Sequence, residues 1–230
     1  MYALIIAGGE GERLRPLTND RPKNMVAVAG RPIVERQIEW LRAGGVTDVV
    51  FLCGYRHEVL EAHVGDGSSF GVRAQYSIES EPLGRGGALK QGFTAVPDGE
   101  ALVIACNGDI LTDQPPAELV AFHKGREATA TIMLTPLKSS YGIVDVEDNG
   151  RVTSFREKPL LPYWINAGIY VFSRDIVSLL PDKGDHETET FPQLTESGKL
   201  SGFRSEAYWR PVDSIKDLSE AEKELAAAGG

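Results

Sequence analysis

The sequence predicts an α/β fold on a central, mostly parallel sheet, and three observations predict it. Short β-branched runs alternate with amphipathic stretches through the first half. The runs themselves, such as DVVFLC and ALVIAC, are continuously apolar, as strands covered on both faces must be. The turn Asp148-Asn149-Gly150 between two short β-like runs predicts a hairpin, and with it a second half of mixed strand direction.

In order, YALIIA, IVERQIEWLRA, DVVFLCG, HEVLEAHV, VRAQYS, GALKQGF and ALVIACN read as βαβαβαβ. TATIMLTP then reads as a strand, GIVDVEDNGRVTSFREKP as the hairpin and INAGIYVFS as a further strand. The segment DSIKDLSEAEKELAAAGG closes the chain as a helix, with Ser214 as its cap, Asp217 at the third position and glycines at its end. The pattern breaks near Thr135 to Ser140 but the composition does not, and no repeat, low-complexity tract or flexible linker intervenes. One continuous domain, 1–230, is expected, with halves at 1–135 and 136–230.

With 230 residues, 42% hydrophobic and 25% charged, the chain can bury a sizeable core. At this length roughly 70% of the unfolded surface leaves water on folding, so neither disulfide nor structural metal is required. Cys53 and Cys106 each lie inside an apolar run, which predicts two buried, reduced thiols and a cytoplasmic protein. The apolar start YALIIAGG is too short to span a membrane and lacks the basic flank of a secretory signal. Lys and Arg number 24 against 33 Asp and Glu, a net charge of −9, which excludes a nucleic-acid coat or a binder of membrane surfaces. Anionic ligands would need a few placed cations or a metal.

The strand ending at Ala7 runs directly into Gly8-Gly9-Glu10-Gly11-Glu12-Arg13-Leu14. A turn so rich in glycine lets backbone amides point at an anion. It is not the dinucleotide fingerprint, because Leu14 stands where the third glycine belongs, and the Gly-Lys-Ser/Thr of the phosphate loop is absent. By itself such a turn is weak evidence, its alternative being a tight turn without a ligand. Arg13 and Lys23 favour the anion, since neither has a nearby carboxylate in the sequence to pair with, and Pro22 restrains the backbone before Lys23.

GGEGERLRPLT followed by RPKNMVAVAGRPIVE closely resembles the signature of the sugar-1-phosphate nucleotidyltransferases, which make nucleotide sugars such as GDP-mannose, GDP-heptose, dTDP-glucose and CDP-glucose. The likeness continues through EPLGRGGAL, CNGDI, SYG, FREKP and INAGIYVF into the last helix, and so covers nearly the whole chain. It implies a Rossmann-like three-layer α/β fold with a small β-rich sugar-binding portion, dependence on Mg²⁺, and the reaction sugar-1-phosphate plus NTP giving NDP-sugar plus pyrophosphate. Residues 1–135 then take the nucleotide and 136–230 the sugar phosphate.

Residue by residue, the resemblance places Ala7, Gly8, Gly9 and Gly11 around the triphosphate, Arg13 at its β- and γ-phosphates, and Lys23 as the lysine of the Pro-Lys pair. Asp109 corresponds to the metal-binding aspartate. Glu81 and the Gly84–Gly87 turn, with Gly86 and Gly87, face the base. Lys158 grips the sugar phosphate and Glu157 the sugar hydroxyls, while Gly142, Asn166 and Gly168 line the sugar pocket. Arg13, Lys23, Asp109 and Lys158 are the expected catalytic set.

One segment departs from the pattern. Many relatives end the site with Trp-x-Asp-x-Gly-Thr, but Trp209-Arg210-Pro211-Val212-Asp213-Ser214 puts proline where that aspartate belongs, as a similar Trp-x-Pro-x-Asp segment does in relatives resembling glucose-1-phosphate cytidylyltransferases. Asp213 becomes the second expected metal ligand; its alternative role is to favour the start of the helix that follows. His57, His63, His123 and His186 have no metal-type spacing and read as surface or packing residues.

EPLGRGGAL favours GTP with mannose- or heptose-1-phosphate, whereas the Trp-Arg-Pro-Val-Asp segment pulls toward CTP. A glucose-1-phosphate cytidylyl- or thymidylyltransferase is the alternative, and a catalytically silent sensor of nucleotide sugars is the non-enzyme one. A nicotinamide dehydrogenase is disfavoured by Leu14. Many relatives carry a C-terminal β-helix; this chain stops at Gly230, so no second activity or β-helix trimer is expected, and association into a homo-oligomer through the mixed sheet stays open.

Overall fold

The computed structural model describes residues 1–228. In chain order the first half contains β1 (Tyr2–Ala7), β2 (Ala27–Val28), β3 (Arg31–Pro32), α1 (Ile33–Ala43), β4 (Asp48–Cys53), α2 (His57–Val64), β5 (Arg73–Ile78), α3 (Gly84–Gly92), β6 (Leu102–Asn107), β7 (Ile110–Thr112) and α4 (Pro116–Lys124). There follow β8 (Ala130–Lys138), β9 (Ile143–Val146), β10 (Val152–Arg156), β11 (Leu160–Ser173), α5 (Thr190–Glu196), β12 (Leu200–Arg204), β13 (Trp209–Pro211) and α6 (Ile215–Ala228).

Seven strands form the main sheet in the order β12-β8-β11-β6-β1-β4-β5. β4, β1, β6 and β5 run parallel, β12 runs parallel to β8, and β11 alone among them is antiparallel to both of its neighbours, β6 and β8. The mixed direction expected of the second half thus comes down to one reversed strand, and strands from both halves share one sheet. β9 and β10 form the expected hairpin beside it.

Successive residues explain the apolar runs. Ile5, Phe51, Ile104 and Val171 pack into one core with α1, α2 and α4, while Leu4, Val50, Val103 and Phe172 pack into a second with α3 and α5. A strand buried on both faces has no polar alternation to show, and each large apolar side chain so buried contributes about 1.5–3 kcal/mol. A third, smaller cluster gathers Leu14, Val26, Val28, Ile33, Leu111, Val212 and Ala221. It ties together the ends of the glycine loop, the Lys23 segment, β7 and the approach to α6, which are the segments that build the site.

Cys53 and Cys106 are buried and unbridged, and burial pushes both thiols up to about 12. Among the described residues no helix is long and apolar enough to cross a membrane. The Ser214 cap forms: its Oγ accepts the Asp217 N–H at 3.2 Å, and the Asp217 carboxylate accepts the Ser214 hydroxyl at 2.7 Å. The glycines expected to stop this helix, Gly229 and Gly230, lie outside the described residues.

The structure corrects the reading of Gly84–Gly87 as a turn, since these residues form the first turn of α3. The same four residues include three glycines, poor helix formers; Gly84 takes φ +74°, which suits glycine, and the packing of α3 on the sheet holds the rest in the helix. It also adds α4, α5 and β12, which the pattern did not announce. β12, LSGFR, is an edge strand with half-exposed residues and a glycine, and its pairing with β8 supplies what propensity does not.

His123 and His186 are packing residues, as expected. His123 places its ring nitrogens 2.8 Å from Thr131 Oγ1 and 3.0 Å from Ser173 Oγ. His186 is fully buried against Tyr170, Phe172 and Phe191, and neither ring nitrogen has a hydrogen-bond partner, Nδ1 standing 3.6 Å from the Asp185 carboxylate. Burial pushes its pKa from 6.5 down to about 4. The imidazole is then neutral in the fold but protonated in the unfolded chain between those values, so stability is lost as pH falls through that window. Urea unfolding at pH 7 and pH 4.5 is expected to show His186→Phe losing about 2–3 kcal/mol less than the parent. Equal losses in the two proteins would remove His186 as the cause.

Candidate active site

β1 and β6 are adjacent and parallel, with Ile6 opposite Asn107, so the segments that leave them emerge side by side at the carboxyl ends of the strands. This is where open α/β sheets bind ligands. From β1 comes the glycine loop; Gly11 has φ +63°, and the Thr18 hydroxyl donates to its carbonyl at 2.8 Å. From β6 comes Asn107-Gly108-Asp109. The Gly108 N–H donates to the Ile6 carbonyl at 2.9 Å, and a Cβ there would stand 2.5 Å from the same oxygen, so only glycine lets the two segments meet.

Two further segments complete the site. Pro22–Lys23 opens a short 3₁₀ turn at which the Met25 N–H donates to the Pro22 carbonyl at 3.0 Å. β13 pairs with β7, Pro211 opposite Ile110, and the Val212 N–H donates to the Asp109 carbonyl at 2.9 Å, which brings Asp213 alongside Asp109. Proline at position 211 therefore has a place in an edge pairing, and the carboxylate two residues later is the one that reaches the site.

The Lys23 ammonium donates to both Asp109 Oδ2 and Asp213 Oδ1, and Arg13 Nη2 lies 3.2 Å from Asp213 Oδ1. This corrects the reading of Arg13 and Lys23 as cations without a carboxylate to pair with: their partners are remote in sequence and close in space. It also separates Asp213 from the helix start, because Ser214 provides the cap while the Asp213 carboxylate engages Lys23 and Arg13. Burial opposes the charges of Lys23, Asp109 and Asp213, with different outcomes. For Lys23 the two carboxylates outweigh burial and hold the ammonium above its usual pKa. For Asp213, Lys23 and Arg13 outweigh it and hold the carboxyl below its usual range. For Asp109 burial prevails, reinforced by the charge of Asp213, and the carboxyl lies above its usual range.

A cavity of about 360 Å³ is lined by Ala7, Gly9, Arg13, Lys23, Asn24, Arg85, Asn107, Asp109 and Asp213. In its wall Asp109 Oδ1 and both amide atoms of Asn24 are buried without a hydrogen-bond partner. Two carboxylates with an unsatisfied oxygen suit a hard divalent cation, which takes oxygen ligands. Among the described residues no group of three or more His, Cys, Asp or Glu side chains is placed to hold a metal ion, so further ligands beside Asp109 and Asp213 would come from other oxygen donors such as water or substrate.

A second cavity, about 250 Å³, shares Ile6, Gly9 and Arg85 with the first and is lined also by Gly8, Glu79, Pro82 and Gly84. Glu79 accepts the Leu83 N–H at 3.0 Å there, while Glu81 is exposed and paired with Lys183 at 2.9 Å. Gly86 and Gly87 are buried against residues 181–186: the Gly86 N–H donates to the Gly184 carbonyl at 2.9 Å, and a Cβ on Gly87 would meet the Asp182 carbonyl at 2.5 Å. Arg85, which borders both cavities and pairs with Asp185 and Glu187, is a site residue that sequence reasoning missed. Its one signal was a basic residue inside a glycine-rich segment.

On the β-rich side, Asn166 Oδ1 accepts the Gly168 N–H at 2.8 Å, and Asn166 Nδ2 donates to Glu187 at 2.8 Å. Gly168 has φ +69°, and a Cβ there would come within 2.5 Å of Asn107 Nδ2, so Gly168 abuts the segment that carries Asp109. Gly142, Phe155 and Glu157 stand together at the hairpin, a Cβ on Gly142 falling 3.0 Å from Glu157 Oε2. Lys158 follows β10 with φ +46°, and both it and Glu157 are exposed.

A family model described as Nucleotidyl transferase matches residues 2–228. The chain is 37% identical over 226 residues to a mannose-1-phosphate guanyltransferase of Neurospora crassa, and 39% identical over 225 residues to one of Yarrowia lipolytica. Each match covers 95% of this chain and 62% of the relative, so the chain spans less than two thirds of the length of these curated relatives. Among solved structures, HddC from Yersinia pseudotuberculosis, known also complexed with GMP-PN, aligns with TM-score 0.77 at 26% identity over 97% of this chain and 99% of that one. A putative glucose-1-phosphate thymidylyltransferase from Bacillus anthracis, in complex with a sucrose, shares the fold at TM-score 0.79 and 20% identity, over 97% and 94% of the two chains. The chain belongs to the nucleotidyl transferase family.

Proposed function

We propose that this chain is a Mg²⁺-dependent sugar-1-phosphate nucleotidyltransferase, with GTP as donor and mannose- or heptose-1-phosphate as acceptor. The observation that carries this reading is the meeting of Arg13, Lys23, Asp109 and Asp213 beside the glycine loop at the carboxyl ends of β1 and β6. The names of the curated relatives and the GMP-PN complex of HddC support guanine as the base.

In the reaction an oxygen of the sugar phosphate attacks the α-phosphorus, the bond from that phosphorus to the bridging oxygen breaks, and pyrophosphate leaves with the negative charge. Gly8, Gly9 and Gly11 present backbone amides to the triphosphate. Arg13, exposed at the mouth of the cavity, offers a planar fork to pyrophosphate oxygens. Lys23 supplies a compact charge beside it. Asp109 and Asp213 would hold Mg²⁺, whose chemistry when bound is to neutralise charge that develops on the phosphates. Glu81, Gly86 and Gly87 serve the base side, and Glu79 joins them from the wall of the second cavity. Lys158 takes the sugar phosphate; Glu157, Gly142, Asn166 and Gly168 take the sugar. Residues 1–135 thus bind nucleotide and 136–230 sugar phosphate within one domain, and two unbridged cysteines suit a reducing, cytoplasmic setting.

The test is pyrophosphate release with Mg²⁺, four NTPs being screened against a panel of sugar-1-phosphates. GTP with mannose- or heptose-1-phosphate is expected to give the highest rate. CTP or dTTP with glucose-1-phosphate would reassign the base, and binding of a nucleotide sugar without any pyrophosphate release would make the chain a sensor.

A further inference from the structure

Lys23 holds the two carboxylates that the proposed reaction assigns to a divalent cation. The arrangement is a half-buried one: the side chains of Lys23, Asp109 and Asp213 are 19%, 17% and 30% exposed. Without the ammonium, two neighbouring carboxylates would repel each other in a partly desolvated wall. Lys23, with Arg13 beside Asp213, therefore balances the two carboxylates in the absence of ligand. It does not satisfy the site, because Asp109 Oδ1 and the Asn24 amide remain buried without partners in the same wall. An ammonium bound to one oxygen of each carboxylate, and a divalent cation drawn to those same carboxylates, compete for the same two charges and repel each other.

We propose that Lys23 is an exchangeable counter-ion. In the free protein it occupies Asp109 and Asp213, and an anion entering the glycine loop draws it away and opens both carboxylates to a divalent cation. Lys23 is in this respect a positioning residue for the cation as well as a ligand for phosphate, and the cation binds weakly until phosphate arrives. The inference rests on the nucleotidyl transfer reading of the site, but its test does not depend on turnover.

The test is calorimetric titration of the full chain with Mn²⁺ in the absence of nucleotide, for the parent, Lys23→Gln and Lys23→Met. The variants are expected to bind Mn²⁺ about tenfold or more tightly than the parent, because a like charge has been removed from the site. They are also expected to melt lower than the parent without Mn²⁺ and to recover with it, since a cation that binds only the folded state stabilises it. Lys23→Met keeps an apolar stem of similar length and stands in if Lys23→Gln does not fold. Adding Asp213→Asn to either variant is expected to abolish the gain in affinity. Mn²⁺ affinity unchanged or weakened in the folded variants, or a gain that survives Asp213→Asn, would overturn the exchange. A chain that fails the nucleotide screen can still show it, and an active enzyme can lack it, so the two readings fail separately.

Discussion

Asp109→Asn is expected to lower turnover about a hundred- to a thousandfold while shifting the melting temperature by no more than a few degrees. The small effect on stability follows from burial. Burial, with the charge of Asp213 beside it, already holds the Asp109 carboxyl above its usual pKa, so the ionised side chain is a costly one to enclose. An amide of the same shape removes that cost, keeps an oxygen that can accept from Lys23, and leaves Lys23 its second partner in Asp213. The large effect on rate follows from charge. An amide contributes no negative charge to a hard cation and cannot replace a carboxylate at the head of β6. The measurement is kcat at saturating substrates and Mg²⁺ beside a thermal melt, and turnover within tenfold of the parent would remove Asp109 from the chemistry.

Asp213→Asn is expected to raise the Mg²⁺ requirement steeply, with a loss of about a hundredfold in rate at limiting Mg²⁺ that excess Mg²⁺ partly restores. The structure sharpens this expectation by removing its competitor. Were Asp213 the residue that starts α6, asparagine would replace it almost silently, because the two cap helices about equally well. Ser214 and Asp217 provide the cap, and the Asp213 carboxylate is spent on Lys23 and Arg13. The melt should therefore fall only by what the pairing with Lys23 and Arg13 contributes, with no loss of the helix cap, while the Mg²⁺ titration moves. A rate unchanged at limiting Mg²⁺ would free Asp213 of any part in holding the cation.

The sequence by itself determined whatever depends on a few neighbouring residues. The runs DVVFLC and ALVIAC announced doubly covered strands because both of their faces meet a core. Asp148-Asn149-Gly150 announced its hairpin and Ser214 its cap, because a turn and a helix start each close hydrogen bonds within four residues. The family motifs, which are also local, pointed to Gly8, Gly9, Arg13, Lys23 and Asp109. Only the tertiary structure decided how these parts meet. Lys23 finds carboxylates 86 and 190 residues away because β6 lies beside β1 and because β13 pairs with β7, and no local pattern encodes that strand order. Glu79 lines the cavity while Glu81 turns out to Lys183, a choice set by where β5 ends and not by residue type. Arg85 meets Asp185 and Glu187 across a hundred residues for the same reason. Short-range geometry selects elements, whereas the balance of burial against charge exists only once distant segments share one wall, and the pairing of Lys23 with Asp109 and Asp213 is a property of that wall.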